Sequence, residues 1–539
     1  MASRPRTLSR RFLAVLCLFL ALGCSTGDHP QSRRTTAPLA AKLPNLRVIF
    51  LSDLEGYLEP CGCQSTSLGG LDRAAAQIAA LRKDQLPTGL FAVGNLFFET
   101  GGGHLRDDSD ARQQEIWKAE TLVDILGTLE VQAAVGGPGD LQYGPEVRDS
   151  LHARARFPVA AAPSSGAAAY LGDRIMKVGS HTLGLLELTA PQLAEAPSNG
   201  AALAKSADER AQALRNQGAE LVVALAVLPR RTARRVATHS QALDFLVLGG
   251  KDQDGAGPPE DLGHCTLLTS DRHGRGLLVL DLQLTAPGQA FADDSAWSRE
   301  AEEAARAAQA ADLAERIASW EQDPQVDKPL LEKQKARLKA LQQPLAPSPA
   351  ANAAPNRFQA RLVPLPTGGP QAPGVTAQMA AYDAKVNSHN REALADRVPP
   401  PAPAGQPHYV GAQVCSACHQ PAFQWWQGHP HGKAYDTLSE RNKEYNLSCV
   451  GCHVTGYGQP GGSTVTHNAG LIHVGCESCH GAGSTHAANP STGNITRSPQ
   501  ANTCQTCHNQ EHSDQFEFQV YRQRLLVPGH GLPPEPPAP

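Results

Sequence analysis

The chain has 539 residues and a formal net charge of −4, with aromatic residues at only 5%. That length suits two or three domains, and a near-neutral charge without a basic stripe excludes nucleic acid as a partner. With 42 Pro and 49 Gly, loops and linkers must be plentiful. The N-terminus carries Arg4, Arg6, Arg10 and Arg11 ahead of an apolar run from Phe12 to Leu22. That run is too short to span a bilayer as a helix, and the pattern is that of an export signal.

The run ends in Ala21-Leu22-Gly23-Cys24. These residues resemble a bacterial lipobox, although Ala21 stands where Leu is usual. The resemblance implies cleavage before Cys24 and lipidation of its thiol. The alternative is ordinary signal cleavage nearby, with Cys24 unmodified. Residues 1–24 are therefore expected to be a signal peptide and 25–44, polar and low in complexity, a flexible tether. The expected location is the periplasmic or cell-surface side of a bacterial membrane, held there by the N-terminal lipid.

From residue 45 to 296, apolar runs alternate with helical stretches. Arg47–Leu51, Leu90–Val93, Leu221–Ala226, Phe245–Leu248 and Gly276–Leu284 read as strands, and Leu71–Leu81 as an amphipathic helix. Strands alternating with helices predict an α/β layered domain. Residues 297–345 are rich in Ala, Glu, Lys, Arg and Leu and predict a helical hairpin broken near Pro324 and Pro329, or one kinked helix. Residues 346–396 return as a linker, a strand (Phe358–Leu365) and a helix (Val375–Ala395). Residues 397–407 form a stiff Pro-rich boundary. A second domain, mainly α and irregular, is expected over 408–530, and residues 531–539 read as a disordered tail.

Cysteine usage separates the two parts. Of 13 Cys, eight lie in four segments of one pattern. These are Cys415-Ser-Ala-Cys418-His419, Cys449-Val-Gly-Cys452-His453, Cys476-Glu-Ser-Cys479-His480 and Cys504-Gln-Thr-Cys507-His508. Each fits covalent attachment of haem c. Two thiols three positions apart each add to one vinyl group of a porphyrin, and the adjacent His binds iron from the proximal side. Paired Cys can also hold zinc or form disulfides, but neither requires His after every second Cys. Four covalent haems are expected. Residues 408–530 also hold 12 of the chain's 20 His. At about 30 residues per haem the protein alone cannot build an ordinary core, so the macrocycles must supply apolar interior.

Beyond the proximal His419, His453, His480 and His508, eight His are available as distal ligands: His408, His429, His431, His467, His473, His486, His512 and His530. A second His gives a six-coordinate iron suited to electron transfer, whereas an open sixth position permits small-molecule chemistry.

The run Tyr409 to His419, the segment from Trp426 through His431 to Leu438, Cys449 to Tyr457 and Val474 to His486 together resemble the tetrahaem cytochrome c family of the hydroxylamine-oxidation pathway. The resemblance implies distal roles for His431 and His486, followed by His473 and His467. It also implies electron shuttling between redox partners, either proteins or quinol-linked donors.

A weaker resemblance covers Leu46 to Leu284. The stretch Val48-Ile-Phe-Leu-Ser-Asp53-Leu-Glu55-Gly56, with Leu68-Gly-Gly-Leu-Asp-Arg73 after it, looks like the nucleotidase branch of the calcineurin-like metallophosphoesterases. Here Glu55 replaces the family's His, and Asn95 its metal-bridging Asp. Gly136-Gly137-Pro138-Gly139 replaces the loop with the ligand Asn and catalytic His, and Lys251 falls where an imidazole would bind metal. Of the family's ligands only Asp53 remains in place, with Asp140 a further nearby carboxylate. Two-metal hydrolysis needs clustered carboxylates and imidazoles, so the domain is expected to keep the fold and lack the chemistry. Cys61 and Cys63 follow the first loop and read as a disulfide between themselves or to Cys265, as ligand or redox groups, or as free thiols. The leading expectation is an exported electron carrier. The alternatives are a redox enzyme acting on a small nitrogen or sulfur compound at a five-coordinate haem, and an active phosphoesterase fused to a cytochrome.

Overall fold

The computed structural model describes residues 43–60, 67–99, 108–160, 172–189, 200–250, 255–295, 297–321, 327–341, 355–509, 512–513 and 515–532. Cys24, Cys61, Cys63 and Lys251 lie outside them. Residues 44 onward form one compact unit.

In chain order the strands of the α/β part are β1 (Leu46–Ser52), β2 (Thr88–Gly94), β3 (Ala133–Gly136), β4 (Val159–Ala160), β5 (Arg174–Val178), β6 (His181–Thr189), β7 (Leu221–Val227), β8 (Phe245–Gly249), β9 (Glu260–Asp261), β10 (Thr266–Thr269), β11 (Gly276–Gln283), β12 (Phe291–Asp293) and β13 (Asn356–Pro364). They form two sheets, ordered β12-β13-β11-β1-β2-β3-β4 and β5-β6-β7-β8-β10-β9. β1 to β4 run parallel, and β11 is antiparallel to β1. In the second sheet β6, β7, β8 and β10 are parallel.

Side chains alternate across a strand with period two. In β1, Leu46, Val48 and Phe50 enter one cluster while Ile49 and Leu51 enter another. In β7, Leu221, Val223, Leu225 and Val227 join Phe50 in that first cluster, and Val222, Ala224 and Ala226 face away. The two sheets thus share an interior, and each buries its opposite face under helices. This is why the strands read as continuous apolar runs: both of their faces are covered.

The helices covering the first sheet are α1 (Leu71–Leu81), α2 (Ser109–Thr128) and α3 (Pro145–Arg154). The second sheet lies under α4 (Gly200–Asn216) and α5 (Arg230–His239). In α1 the buried residues Leu71, Ala74, Ala75 and Ile78 follow helical spacing, so one stripe meets the sheet. Helices α6 (Trp297–Glu321) and α7 (Lys328–Leu341) pack together as the expected hairpin, with Lys335 Nζ 2.8 Å from Glu321. The return segment completes the α/β layers. Strand β13 pairs with β11 and β12 inside the first sheet, and α8 (Pro373–Ala393) packs on α1 and α2.

The C-terminal part docks on that surface. Ala111 of α2 and Leu394 after α8 share an apolar cluster with Leu447, Val450, Val454 and Val465. Buried amides complete the junction. Gln114 donates to Asn446 Oδ1 (2.9 Å) and accepts from Leu447 N (3.0 Å), and Asn390 donates to Tyr445 O (2.8 Å). Among the described residues no helix is long and apolar enough to cross a membrane.

Phe50 is fully buried between the sheets, with its ring 6.0 Å from that of Phe91. Phe50→Ala is expected to lower stability by about 3–5 kcal/mol through a void that two flat sheets cannot close. Denaturant unfolding followed by far-UV circular dichroism reads this directly.

Candidate haem sites and the Asp53 loop

Each Cys-x-x-Cys-His segment lies on or beside a helical turn: Ala412–Cys415, Leu447–His453, Cys476–His480 and Ala501–Gln505. Helical geometry puts positions i, i+3 and i+4 on one face. In the first and fourth segments the turn is closed by His419 N donating to Cys415 O (2.9 Å) and His508 N to Cys504 O (2.8 Å). Both thiols and the imidazole are thus presented to one side. None of the eight thiols is in a disulfide. The fold also brings the segments together in pairs: the Cys415 thiol contacts that of Cys476, and the Cys507 thiol that of Cys452.

Three proximal imidazoles face a second histidine ring. The centroids of His431 and His508 are 6.1 Å apart, those of His480 and His530 6.2 Å, and those of His419 and His486 6.3 Å. A metal–imidazole bond is about 2 Å and a ring nitrogen lies roughly 1.1 Å from its centroid, so trans imidazoles on one ion have centroids about 6.2 Å apart. The spacing therefore fits one iron between each pair. For His453 the described ring pairs include no second histidine.

The hydrogen bonds orient these rings for iron. A carbonyl can only accept, so Nδ1 donates from His453 to Ala434 O (2.5 Å), from His480 to Thr496 O (2.6 Å) and from His530 to Leu525 O (2.6 Å). His486 Nδ1 lies 2.9 Å from Asn494 Oδ1. With the proton on Nδ1, Nε2 keeps its lone pair for a metal. Trp425 stacks on His530 at 5.0 Å and holds its plane. Burial, with His429 and His508 adding to it, pushes His431 down to about 4, so the ring is neutral at ordinary pH. Among the described residues no group of three or more His, Cys, Asp or Glu is placed to hold a metal ion.

His473 and His467 are placed differently. Tyr435 N donates to His473 Nδ1 at 3.2 Å, which leaves the proton of that neutral ring on Nε2. His467 Nδ1 is 3.1 Å from the Thr466 hydroxyl. Neither faces a proximal histidine among the described ring pairs. Among the described ring pairs it is His530, another of the eight available His, that lies opposite His480.

Sequence reasoning missed Glu477, inside the third segment. It is 3% exposed and accepts from the backbone N–H groups of Val410, Gly411 and Gly483 (2.9, 2.7 and 2.7 Å), tying the start of the module to its third haem segment. Nothing in its local pattern distinguishes it from a surface Glu.

In the α/β part, Asp53 sits at the end of β1 with φ +44°. Its carboxylate accepts from Ser52 Oγ (2.7 Å), Asn95 N (3.0 Å) and Gly250 N (2.8 Å). Desolvation is the largest influence on it and raises its pKa, against the lowering effect of these bonds. Glu55 is bound by Arg272 and His273, each at 2.8 Å. Desolvation would raise its pKa, but these two partners outweigh it and the net direction is down. Asp140 accepts from Leu96 N (2.9 Å) and Phe97 N (2.7 Å), and burial pushes it up to about 7. The carboxylates of this loop are thus occupied by amides and a guanidinium. The sequence reading missed Arg272 and His273 because they lie over 200 residues away. Cys265 is a free thiol, fully buried under the second sheet, which removes it from the expected disulfides.

Residues 414–481 match the family described as cytochrome c554 and c-prime, a match that implies covalently bound haem c in this segment. Cytochrome c-554 of Nitrosomonas europaea is 38% identical over 91 residues, 14% of this chain and 39% of that protein. The chain therefore spans about two fifths of the length of this curated relative. Two solved structures are similar to the α/β part. The calcineurin-like phosphoesterase YfkN of Bacillus subtilis is 19% identical, with a TM-score of 0.36 over 46% of this chain and 87% of that one. The 5'-nucleotidase precursor of Thermus thermophilus is 16% identical, with a TM-score of 0.42 over 68% of this chain and 62% of that one.

His530→Ala in the exported, haem-loaded protein is expected to convert one low-spin haem to high spin with the haem content unchanged. His473→Ala is expected to leave the spin state alone. Electron paramagnetic resonance reads both, and the opposite pattern would return the ligand role to His473.

Proposed function

We propose that the chain is an exported, lipid-anchored tetrahaem cytochrome that passes electrons between redox partners outside the cytoplasm. The single observation that carries this reading is the set of three histidine pairs at 6.1–6.3 Å, each opposite one attachment segment. In it, Cys415 and Cys418, Cys449 and Cys452, Cys476 and Cys479, and Cys504 and Cys507 hold four haems. The proximal ligands are His419, His453, His480 and His508. His486, His530 and His431 are the distal ligands of the first, third and fourth haems. Bis-imidazole iron changes oxidation state with little rearrangement and so supplies one-electron transfer. The protein's part is to fix the imidazole planes, through Ala434, Thr496 and Leu525 carbonyls, and to hold the segments in contact as first with third and second with fourth. The basic n-region, apolar run and Cys24 support export and the anchor.

The second haem favours an additional reading. With no histidine opposite His453 among the described ring pairs, its sixth position would be open to a small nitrogen or sulfur compound. Carbon monoxide distinguishes the two. A carrier with one five-coordinate haem binds it at one haem in four, whereas a fully low-spin, unresponsive spectrum removes the enzymatic alternative.

The α/β part is proposed to have lost hydrolysis. Asp53 is saturated by hydroxyl and amide donors, and Glu55 by Arg272 and His273. A pair of divalent ions would have to displace all of these. Protein incubated with manganese is expected to leave nucleotides and a generic phosphate ester intact. Turnover abolished by Asp53→Ala would overturn this.

A further inference from the structure

A cavity of about 140 Å³ lies where the α/β layers meet the cytochrome module. One wall comes from the first loop (Glu59), α2 (Glu115, Lys118) and α8 (Asp383). The other comes from the C-terminal part, with Lys443 and Cys449, the first thiol of the second haem segment. Water occupies about 30 Å³ per molecule in the liquid, so the space admits several waters beside polar walls. Buried charges in such a place are costly unless compensated.

Compensation here is uneven. Glu115 is 2.6 Å from Lys118. Glu59 holds Lys443 in a short ion pair, and Asp383 has only the far side of that same ammonium, at 3.5 Å. Tyr382, the neighbour of Asp383 on α8 and 6% exposed, contributes a neutral phenol. Asp383 is thus the least compensated carboxylate on the cavity, with its side chain 15% exposed.

We propose that Asp383 is a proton-binding site coupled to the haem held by Cys449, Cys452 and His453, so that this haem takes up a proton with its electron. The inference rests on the tetrahaem electron-carrier reading. With haem bound, a one-electron donor would reduce its iron, and an acid in bulk solvent (hydronium or buffer) would supply one proton, which cavity water relays to the Asp383 carboxylate, each water losing one proton as it gains another. One O–H bond forms at Asp383 and one breaks at the bulk acid, so the cavity water is left neutral and the added electron is offset by one proton. Desolvation holds Asp383 at about 7. The site therefore titrates near neutral pH, and an electron added to a nearby haem would raise it further. The α/β part thereby acquires a role: two of its helices, α2 and α8, and its first loop build the proton site of a haem they do not themselves bind.

The test is spectroelectrochemistry of the full-length, haem-loaded protein between about pH 5 and pH 9, following the high-spin haem with small-molecule mediators as donors. The expected midpoint potential is flat below about pH 7 and falls above it toward about 59 mV per pH unit, the value for one proton per electron. Asp383→Asn is expected to remove that slope while the other three haems keep their potentials. Reduced-minus-oxidised infrared spectra of the unaltered protein give a second readout, a protonated-carboxyl C=O band that appears on reduction and shifts in deuterated water. A potential independent of pH, or a slope retained in Asp383→Asn, overturns the proton site and leaves the electron-carrier reading intact. Failure of the haems to reduce reversibly overturns that reading itself.

Discussion

Covalent haem attachment is the constraint on which the C-terminal module depends. Among its described residues, those buried and apolar are Ala412, Phe423, Leu438, Leu447, Val450, Val454, Val465, Leu471 and Val520. Five of the nine fall between Leu438 and Val465, close to the surface that meets the α/β layers. A core this thin cannot offset the conformational entropy of more than a hundred residues. Bound haem would supply what the side chains do not: apolar mass in the interior, tied to the chain through thioether and iron–imidazole bonds. The short helices fit this, since several run for only four or five residues and would not persist alone.

The α/β layers rest on the opposite solution. Their interior is built from side chains alternating on two sheets, and it needs no cofactor to close. The two parts are joined by buried amides rather than by a tether. Gln114 and Asn390 reach across to the turn that starts the second haem segment, where Asn446 caps the helix by accepting from Ser448 N at 2.9 Å. The haem segment whose His453 meets no second histidine among the described ring pairs is therefore the one most closely embraced by the α/β part. At the loop after β1, Glu55 is held in an internal ion pair with Arg272 and His273, which ties the loop to the turn before β11.

Much of this was legible in the sequence. The four attachment segments follow from the chemistry of two vinyl groups and one iron, which demands local spacing. Strands β1, β2, β7, β8 and β11 stand out because both their faces are buried, and α1 because its stripe is regular. What failed to show was long-range. His530 lies 50 residues from His480, and no local pattern distinguishes it from His473, whose tautomer is fixed by Tyr435 N. Arg272 and His273 meet Glu55 only through the folding of β11 beside β1. The integration of residues 356–393 into the α/β layers was hidden as well, because the helical hairpin intervenes in the chain but not in the sheet.

The central claim is that thioether bonds tie iron porphyrins to residues 415–508. Intact-protein mass spectrometry of exported material, denatured and extracted with acidified organic solvent, tests it most directly. The account predicts a polypeptide heavier than its processed, lipidated sequence by four haems. A colourless protein with the mass of the bare chain would contradict it.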